Sequence, residues 1–399
     1  MKIIYLSVLE SYDEASGVQK KINHQVKALH KLKVNIDAYI IVKDGHNVKL
    51  KNNDISTISV QYVPINVKTA IKSLIRKIPL IGKFYIEKKC YEKMHDVVNQ
   101  HEDVDIIYLR NMRGSPYLLR FAKNYCSKII IEHQSKELDE FKSAGLVLRY
   151  LLEFFYKPLV HKYIRGCVCV TEEIEAYQKK RFKGKSLNTK VITNSFEVAS
   201  VKARIAPDYD NHSVRLLFIG NISYWHGLDR TINGLINYRG DKNVELYIIG
   251  AGEYKQSLKD LVRKLDLKES VLFIEPKMSD ELDLFFDHCH VAVGSLGIHR
   301  INMLIASTLK VREYLSRGMP FILSYKDTDL NDPEIKPFTL KVPSDDSPID
   351  IEEVIKFVEK VYNLEDHPNK IRNYALRTID SAIKAEELKK YIMQNADLK

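Results

Sequence analysis

Short apolar runs alternate along this chain with longer stretches in which apolar positions return at helical spacing. The runs Ile3–Leu9, Ile36–Val42, Asp105–Leu109, Lys128–Glu132, Cys167–Val170 and Val191–Thr193 read as strands, and the stretches between them as helices. Such a strand–helix series folds as a mostly parallel sheet with helices on its faces. It stops at a polar, irregular segment, Glu197–Ser213, and restarts with Val214–Ile219, Val244–Ile249, Val271–Ile274, Val291–Gly294 and Phe321–Leu323. Beyond Pro343 come two charged helical segments, Ile351–Leu364 and His367–Gln394. The pattern predicts an α/β chain of two doubly wound, Rossmann-like domains: 1–196, a linker 197–213, then 214–365, with a final helical part, 366–399, packing back on the first domain. Ligands of open α/β sheets sit outside the carboxyl ends of strands, so an interdomain cleft is the expected site.

A length of 399 residues agrees with two cores rather than one. The opening MKIIYLSVLESYDE has one lysine and an apolar run that ends in acids, the pattern of a buried first strand rather than a signal peptide. Ser143–Val160, the nearest approach to a membrane span, is interrupted by Arg149, Glu153 and Lys157. Cys90, Cys126, Cys167, Cys169 and Cys289 form an odd set without CxxC spacing, which points to reduced thiols and a cytoplasmic chain.

Charge sharpens the picture. Residues 1–200 carry 34 Lys and Arg against 21 Asp and Glu, while 201–399 carry 28 against 31, so the basic excess belongs wholly to the first half. An acidic partner for the first domain is implied. Asn66–Lys93 interleaves eight basic residues with Ile71, Leu74, Ile75, Ile78, Leu80, Ile81, Phe84 and Tyr85, and Ser143–Arg165 adds a second basic, aromatic-rich stretch. Basic residues beside bulky aliphatics suit a helix in an anionic headgroup layer, which places the chain as a peripheral protein at the inner membrane face. The alternative is a core-facing amphipathic helix with a polar outer face. No nucleic-acid recognition motif occurs, and nucleic acid is not expected as a partner.

The chemistry concentrates in Gly294–Pro320, GSLGIHRINMLIASTLKVREYLSRGMP. Ser307 reads as the N-cap of a helix that stops at Gly318 and Pro320. Free backbone N–H groups at that helix start favour phosphate, Lys310 in its first turn adds a point charge, and Glu313 lies on nearly the same face. A carboxylate there suits a ribose diol; the alternative is a surface ion pair between Lys310 and Glu313. Asp103 and Asp105 form a DxD string that precedes a buried strand, and read as a solvated residue and a strand-opening residue. The Cys167, Cys169 pair and the His288, Cys289, His290 triplet have ligand chemistry, but both lie in strand-like runs where alternate residues face opposite ways, so no metal is expected.

These motifs carry a resemblance. LLFIGNISYWHGLDRTINGL, LYIIGAGEYKQSLKDLVRKLDLKESVLFI and MSDELDLFFDHCHVAVGSL follow the order and spacing of the donor domain of GT-B glycosyltransferases of the family 4, or group 1, type over nearly all of residues 214–325. The pieces GSLGIHR and STLKVREYLSRGMPF look most like a bacterial branch that builds capsule, O-antigen or exopolysaccharide chains. The first domain matches more loosely, through Gly17, through IYLR at Ile107–Arg110 and through VITNSFE. The resemblance implies a GT-B fold and roles for particular residues. Gly220 and Asn221 would let the donor diphosphate approach the backbone, Gly250 and Gly252 would lie near the base, and Leu309, Lys310 and Glu313 would meet diphosphate and ribose. His133, with Glu132, Lys136 and Glu137 nearby, resembles the region of an acceptor-side histidine at the cleft mouth.

Two departures from the family pattern matter. Ile305 stands where the first carboxylate of the family's paired-glutamate motif reads the donor sugar, which leaves His299 and Arg300 as candidates to hold it. Asn221 and His226 replace the family's usual Arg and Lys, so diphosphate neutralisation leans on Lys310, with Arg300 or Arg312, while a neutral His226 donates one hydrogen bond. The reading is a retaining, metal-independent glycosyltransferase without a cofactor, moving a sugar from a nucleotide diphosphate donor to a lipid-linked glycan in surface-polysaccharide synthesis. A catalytically inactive GT-B partner of a transferase and a nucleotide-sugar epimerase are the alternatives.

Overall fold

The computed structural model describes residues 1–12, 16–44, 60–65, 79–182, 187–277 and 279–396. It divides into two compact units, one of residues 1–13, 25–192 and 385–399, the other of 14–24 and 193–384.

In the first unit the chain runs β1 (Lys2–Ser11), α1 (Gly17–Lys31), β2 (Asn35–Asp44), β3 (Val60–Pro64), α2 (Pro79–Asn99), β4 (Val104–Arg110) and α3 (Pro116–Asn124). It continues through β5 (Ile129–His133), α4 (Glu137–Ser143), α5 (Val147–Val160), β6 (Gly166–Cys169), α6 (Glu172–Arg181) and β7 (Thr189–Val191). The first part of α1, through His24, counts with the second unit. The described strands form one parallel sheet in the order β3-β2-β1-β4-β5-β6-β7. Ile4, Leu6, Ile107, Leu109 and Ile131 are fully enclosed, as expected of strands covered on both faces. Local chemistry sets the helix starts: the Ser115 hydroxyl accepts from Leu118 N ahead of Pro116, and the Thr171 hydroxyl accepts from Ile174 N ahead of three acidic residues.

The second unit repeats the plan with β8 (Ser213–Ile219), α7 (Leu228–Asn237), β9 (Asn243–Ile249), α8 (Lys255–Lys264), β10 (Val271–Ile274), α9 (Ser279–His288), β11 (Val291–Val293), α10 (Leu309–Arg317), β12 (Phe321–Leu323) and β13 (Thr339–Lys341). Its sheet is parallel in the order β10-β9-β8-β11-β12-β13. The chain reverses direction across this sheet between β8 and β11, and at such a switch point the following loops splay apart to leave a ligand crevice.

The structure differs from the pattern reading in four places. The edge strands β3 and β13 were not expected: β3 ends in Pro64 and β13 is three residues long, so neither shows a sustained apolar run. The segment 351–396 forms α11 (Ile351–Tyr362), α12 (His367–Thr378) and α13 (Ser381–Ala396) rather than two helices. The break after Thr378 is made by Phe196, whose N–H donates to Ile379 O at 3.0 Å and whose carbonyl accepts from Ser381 N at 2.9 Å. Asp380 then starts α13, accepting from Ala382 N at 2.9 Å. Within the first unit α13 is held by Tyr391, whose hydroxyl donates to Asn188 O at 3.0 Å.

The fourth difference concerns the basic stretches. Residues 66–78, including Lys72, Arg76 and Lys77, lie outside the described residues. The other stretch, α5, is arranged opposite to an ordinary amphipathic helix. Glu153 and Lys157 are buried, and Glu153 binds Arg181 at 3.0 Å while Lys157 donates to Asn111 Oδ1 at 2.6 Å. Val147, Leu148, Leu151, Phe154, Phe155 and Leu159 face outward, Phe155 with 61% of its surface exposed. A polar outer face is therefore excluded for this helix. No helix among the described residues is long and apolar enough to cross a membrane.

Candidate functional site

The loops that follow β8, β9 and β11 meet the start of α10 at the switch point of the second sheet. Gly220, directly after β8, has φ +116°, and a Cβ there would meet only the Lys310 side chain, at 3.9 Å. Gly250, directly after β9, has φ +153°, and a Cβ on it would lie 1.9 Å from Gly220 O. Gly250 is thus required by the approach of two loops to each other, whatever binds beside them, and Gly252 stands in the same relation to Ile222. Lys255 fastens the second loop, donating to Gly250 O at 2.9 Å and to Glu275 at 2.8 Å.

Lys310 is the unusual group of the site. Its Nζ is enclosed, has no hydrogen-bond partner, and stands 3.9 Å from the centroid of the Phe218 ring. Burial pushes its pKa well below the ordinary lysine value. The cation–π contact offsets part of the lost hydration, yet an ammonium without an anion remains costly in such a place. His226 packs edge-on to the same Phe218 ring at 5.3 Å. Its Nδ1 accepts from Ser223 N at 3.0 Å, which assigns the ring proton to Nε2. Burial first, and the nearby Lys310 second, hold His226 neutral, with a pKa well below the usual value. Asn221 donates from its amide to Ser223 Oγ at 2.7 Å and so stiffens the turn.

The α10 start differs from the expected cap. Thr308, not Ser307, precedes the helix, and its hydroxyl pairs with Tyr325 at 2.7 Å instead of capping. Ser307 Oγ accepts from Asn194 N at 2.8 Å and from Arg312 at 2.6 Å. No side chain therefore caps the first turn of α10, and its positive end stays available for an anion. The amino end of α1 lies against it: a Cβ on Gly17 would be 3.5 Å from Leu309 Cδ1. Gly318, at φ +78°, ends the helix as its sequence implies.

Glu313 does not pair with Lys310. Its Oε1 accepts from Arg317 Nε at 3.2 Å, and Arg317 also binds Asp283 and covers the Phe286 ring at 4.4 Å. The pair is almost wholly buried, which rules out the surface-pair alternative.

The other proposed cations are already engaged. Arg300 makes a two-pronged contact with Asp229 at 2.8 and 2.7 Å, binds Asp346 at 2.7 Å and covers the Tyr224 ring at 4.3 Å. His299 Nε2 lies 3.0 Å from the same Asp346 carboxylate. Arg312 is fully buried and bound to Asp327, Asp329, Ser307 and Asn194 O, a knot that ties together four chain segments. These residues shape the loop rather than offer free charge. Ile305 forms a bridge with Lys326 and brings no carboxylate. In the first unit His133 is fully enclosed, with Nδ1 3.0 Å from Glu137 Oε1, instead of standing at an open mouth.

Sequence reasoning missed Phe218, although a Phe two residues before Gly220 was the available signal. It also missed the Tyr224–Tyr254 pair, in edge contact at 5.4 Å beside the Gly252 loop.

Residues 204–378 match the model of the family described as glycosyl transferases group 1. Solved structures similar to this one include a sucrose-phosphate synthase from Thermosynechococcus elongatus, with 12% identity, 99% of each chain covered and a TM-score of 0.70. HepE from Anabaena, in complex with UDP and glucose, has 14% identity, 99% of this chain and 100% of that chain covered, and a TM-score of 0.65. The lipopolysaccharide outer core galactosyltransferase WaaB has 15% identity, 99% of each chain covered and a TM-score of 0.62. At these identities the likeness shows the fold, which is GT-B with two Rossmann-like domains. No curated protein matches the sequence.

Proposed function

We propose, for a chain that carries a group 1 glycosyl transferase domain on a GT-B fold, transfer of a sugar from a nucleotide diphosphate donor to a hydroxyl acceptor. The observation that carries this reading is Lys310, an enclosed amino group without a counter-ion, set between the Gly220 turn and the uncapped start of α10. A diphosphate seated there meets Lys310, the α10 amides and the Nε2–H of His226. As the bond to the sugar breaks, an oxocarbenium-like sugar forms and negative charge grows on the departing diphosphate. These groups stabilise that charge more in the transition state than in the ground state, which is what accelerates the step. The neutralisation falls to Lys310 and the helix end, and we propose that no metal is needed for it. Glu313 Oε2 is assigned to the ribose.

Retention of anomeric configuration, a lipid-linked glycan acceptor and a place in bacterial surface-polysaccharide synthesis belong to the same proposal. The outward apolar face of α5, on the basic first unit, supports docking at the inner face of an anionic membrane. HepE was solved with UDP-glucose, so UDP-sugars are the first donors to test. The test measures nucleoside diphosphate released from a panel of nucleotide sugars, with and without lipid extract. Release that needs Lys310 and is raised by the extract is expected; well-folded protein that binds a nucleoside diphosphate and releases none from any sugar donor sinks the enzyme reading. The absent acid at Ile305 and the sealed Arg300 favour one alternative, a non-catalytic partner that binds the donor or its product without turnover.

A further inference from the structure

We propose that the first unit contains a buried zinc site made by His133, His161 and Cys167. One ligand atom from each of the three residues lies within 4.8 Å of the other two, and all three side chains are buried. No other such group occurs among the described residues. They come from three elements: His133 ends β5, His161 follows α5 as its C-cap, and Cys167 lies in β6.

The hydrogen bonding points to a ligand. His133 Nε2 and both ring nitrogens of His161 are buried and have no partner. His133 Nδ1 lies 3.0 Å from Glu137 Oε1 and 2.9 Å from Gln178 Nε2; the carboxylate can only accept, so the ring proton is assigned to Nδ1 and the Nε2 lone pair faces the cluster. A carboxylate behind a histidine in this way orients the ring and raises its basicity as a metal ligand. Glu137 is itself fixed by Asn111 and by Gln178, the latter at 3.1 Å. Burial holds the Cys167 thiol protonated and keeps His161 neutral. Metal binding would displace the thiol proton to solvent and leave both imidazoles neutral, as coordination requires.

Two imidazoles and a thiolate suit Zn2+ and disfavour Mg2+ or Ca2+, which take oxygen ligands. Tetrahedral zinc sets its nitrogen and sulfur ligands about 3.3–3.8 Å apart, so the three side chains need to close in by about 1 Å. The fourth position falls to water. Nearby charges are already balanced: Glu153 binds Arg181, and Lys157 is held by Asn111 and by Met112 O. Strand alternation does not disperse this cluster as the sequence suggested, because His133 and His161 approach Cys167 from neighbouring elements. The ion would pin the carboxyl end of α5, the helix with the outward apolar face, to the sheet.

The test uses the full chain without an affinity tag, purified from zinc-supplemented cells and dialysed, with metal content read by mass spectrometry. About one zinc per chain is expected in the wild type and in Cys126→Ser, and none in Cys167→Ser or His161→Gln. Glu137→Gln should bind zinc about 10–100-fold more weakly. Should the ligand variants fail to fold, cobalt added to the wild-type protein decides the matter through a sulfur-to-cobalt charge-transfer band. Folded wild type without zinc and without that band overturns the proposal, as does full zinc content in folded Cys167→Ser.

Discussion

Replacing Lys310 by Met removes the ammonium while keeping an unbranched side chain against Phe218. At 4 Å and an effective dielectric of about 20, two opposite unit charges attract by about 4 kcal/mol. Reorganisation leaves about 1.5–3 kcal/mol for a charged hydrogen bond, so the variant should bind nucleoside diphosphate about 10–150-fold more weakly. A second signature follows from the enclosed Nζ. Its pKa lies well below the ordinary lysine value because burial disfavours the charge, and a bound diphosphate restores it. Ligand binding to the wild type should therefore take up on the order of one proton at a pH between the free and bound pKa values. Calorimetry in buffers of different ionisation enthalpy reads that uptake as a slope, which should vanish in Lys310→Met. The sign for stability is opposite to that for binding. Between the folded and unfolded pKa values the unfolded chain holds the extra proton, so stability of the unliganded protein rises with pH until the ordinary lysine value is reached. Lys310→Met should accordingly melt higher than wild type at neutral pH while binding less. Equal affinity and an equal slope in both proteins would falsify the placement of Lys310 at the diphosphate.

Three other outcomes are expected. Gly250→Ala forces a side chain into the Gly220 carbonyl at positive φ and should destabilise the second unit by more than the about 1–3 kcal/mol of backbone strain alone, read by urea denaturation; an unchanged midpoint contradicts the loop packing. Arg312→Met leaves Asp327 buried without its cation and Asp329 with Lys384 alone, and should cost about 3–5 kcal/mol, whereas a diphosphate-binding arginine would instead lower affinity at little cost in stability. Phe154→Ser with Phe155→Ser should weaken sedimentation with anionic vesicles while leaving diphosphate binding intact; equal sedimentation removes α5 from the membrane surface.

The central strands of both sheets were legible because they are apolar, bounded by turns and, even where only three residues long as in β11 and β12, wholly buried. β3 and β13 were not, since an edge strand needs little burial and pattern reading depends on burial. The α10 residues were legible as a group, through a helix stop at Gly318 and a cation near the helix start. Their partners were not. Glu313 takes Arg317, four residues on, in place of Lys310, and whether Arg300 and Arg312 are free depends on Asp229, Asp346 and Asp327, which lie in other segments of the chain. Gly250 was read as a ligand-facing glycine, and the packing gives it a reason of its own. His133 was read from its place after a strand, whereas its surroundings are set by Glu137, His161 and Gln178 on three different helices or their ends.

The measurement that reaches the central claim most directly is calorimetric titration of the purified protein with UDP, GDP, ADP, CMP and dTDP, with Lys310→Ala as control. Selective binding of one nucleoside diphosphate to wild type, weakened in the variant, is the outcome the site geometry predicts. Well-folded wild type that binds none of them, or binds one equally in both proteins, would remove Lys310 and the α10 start from the donor site.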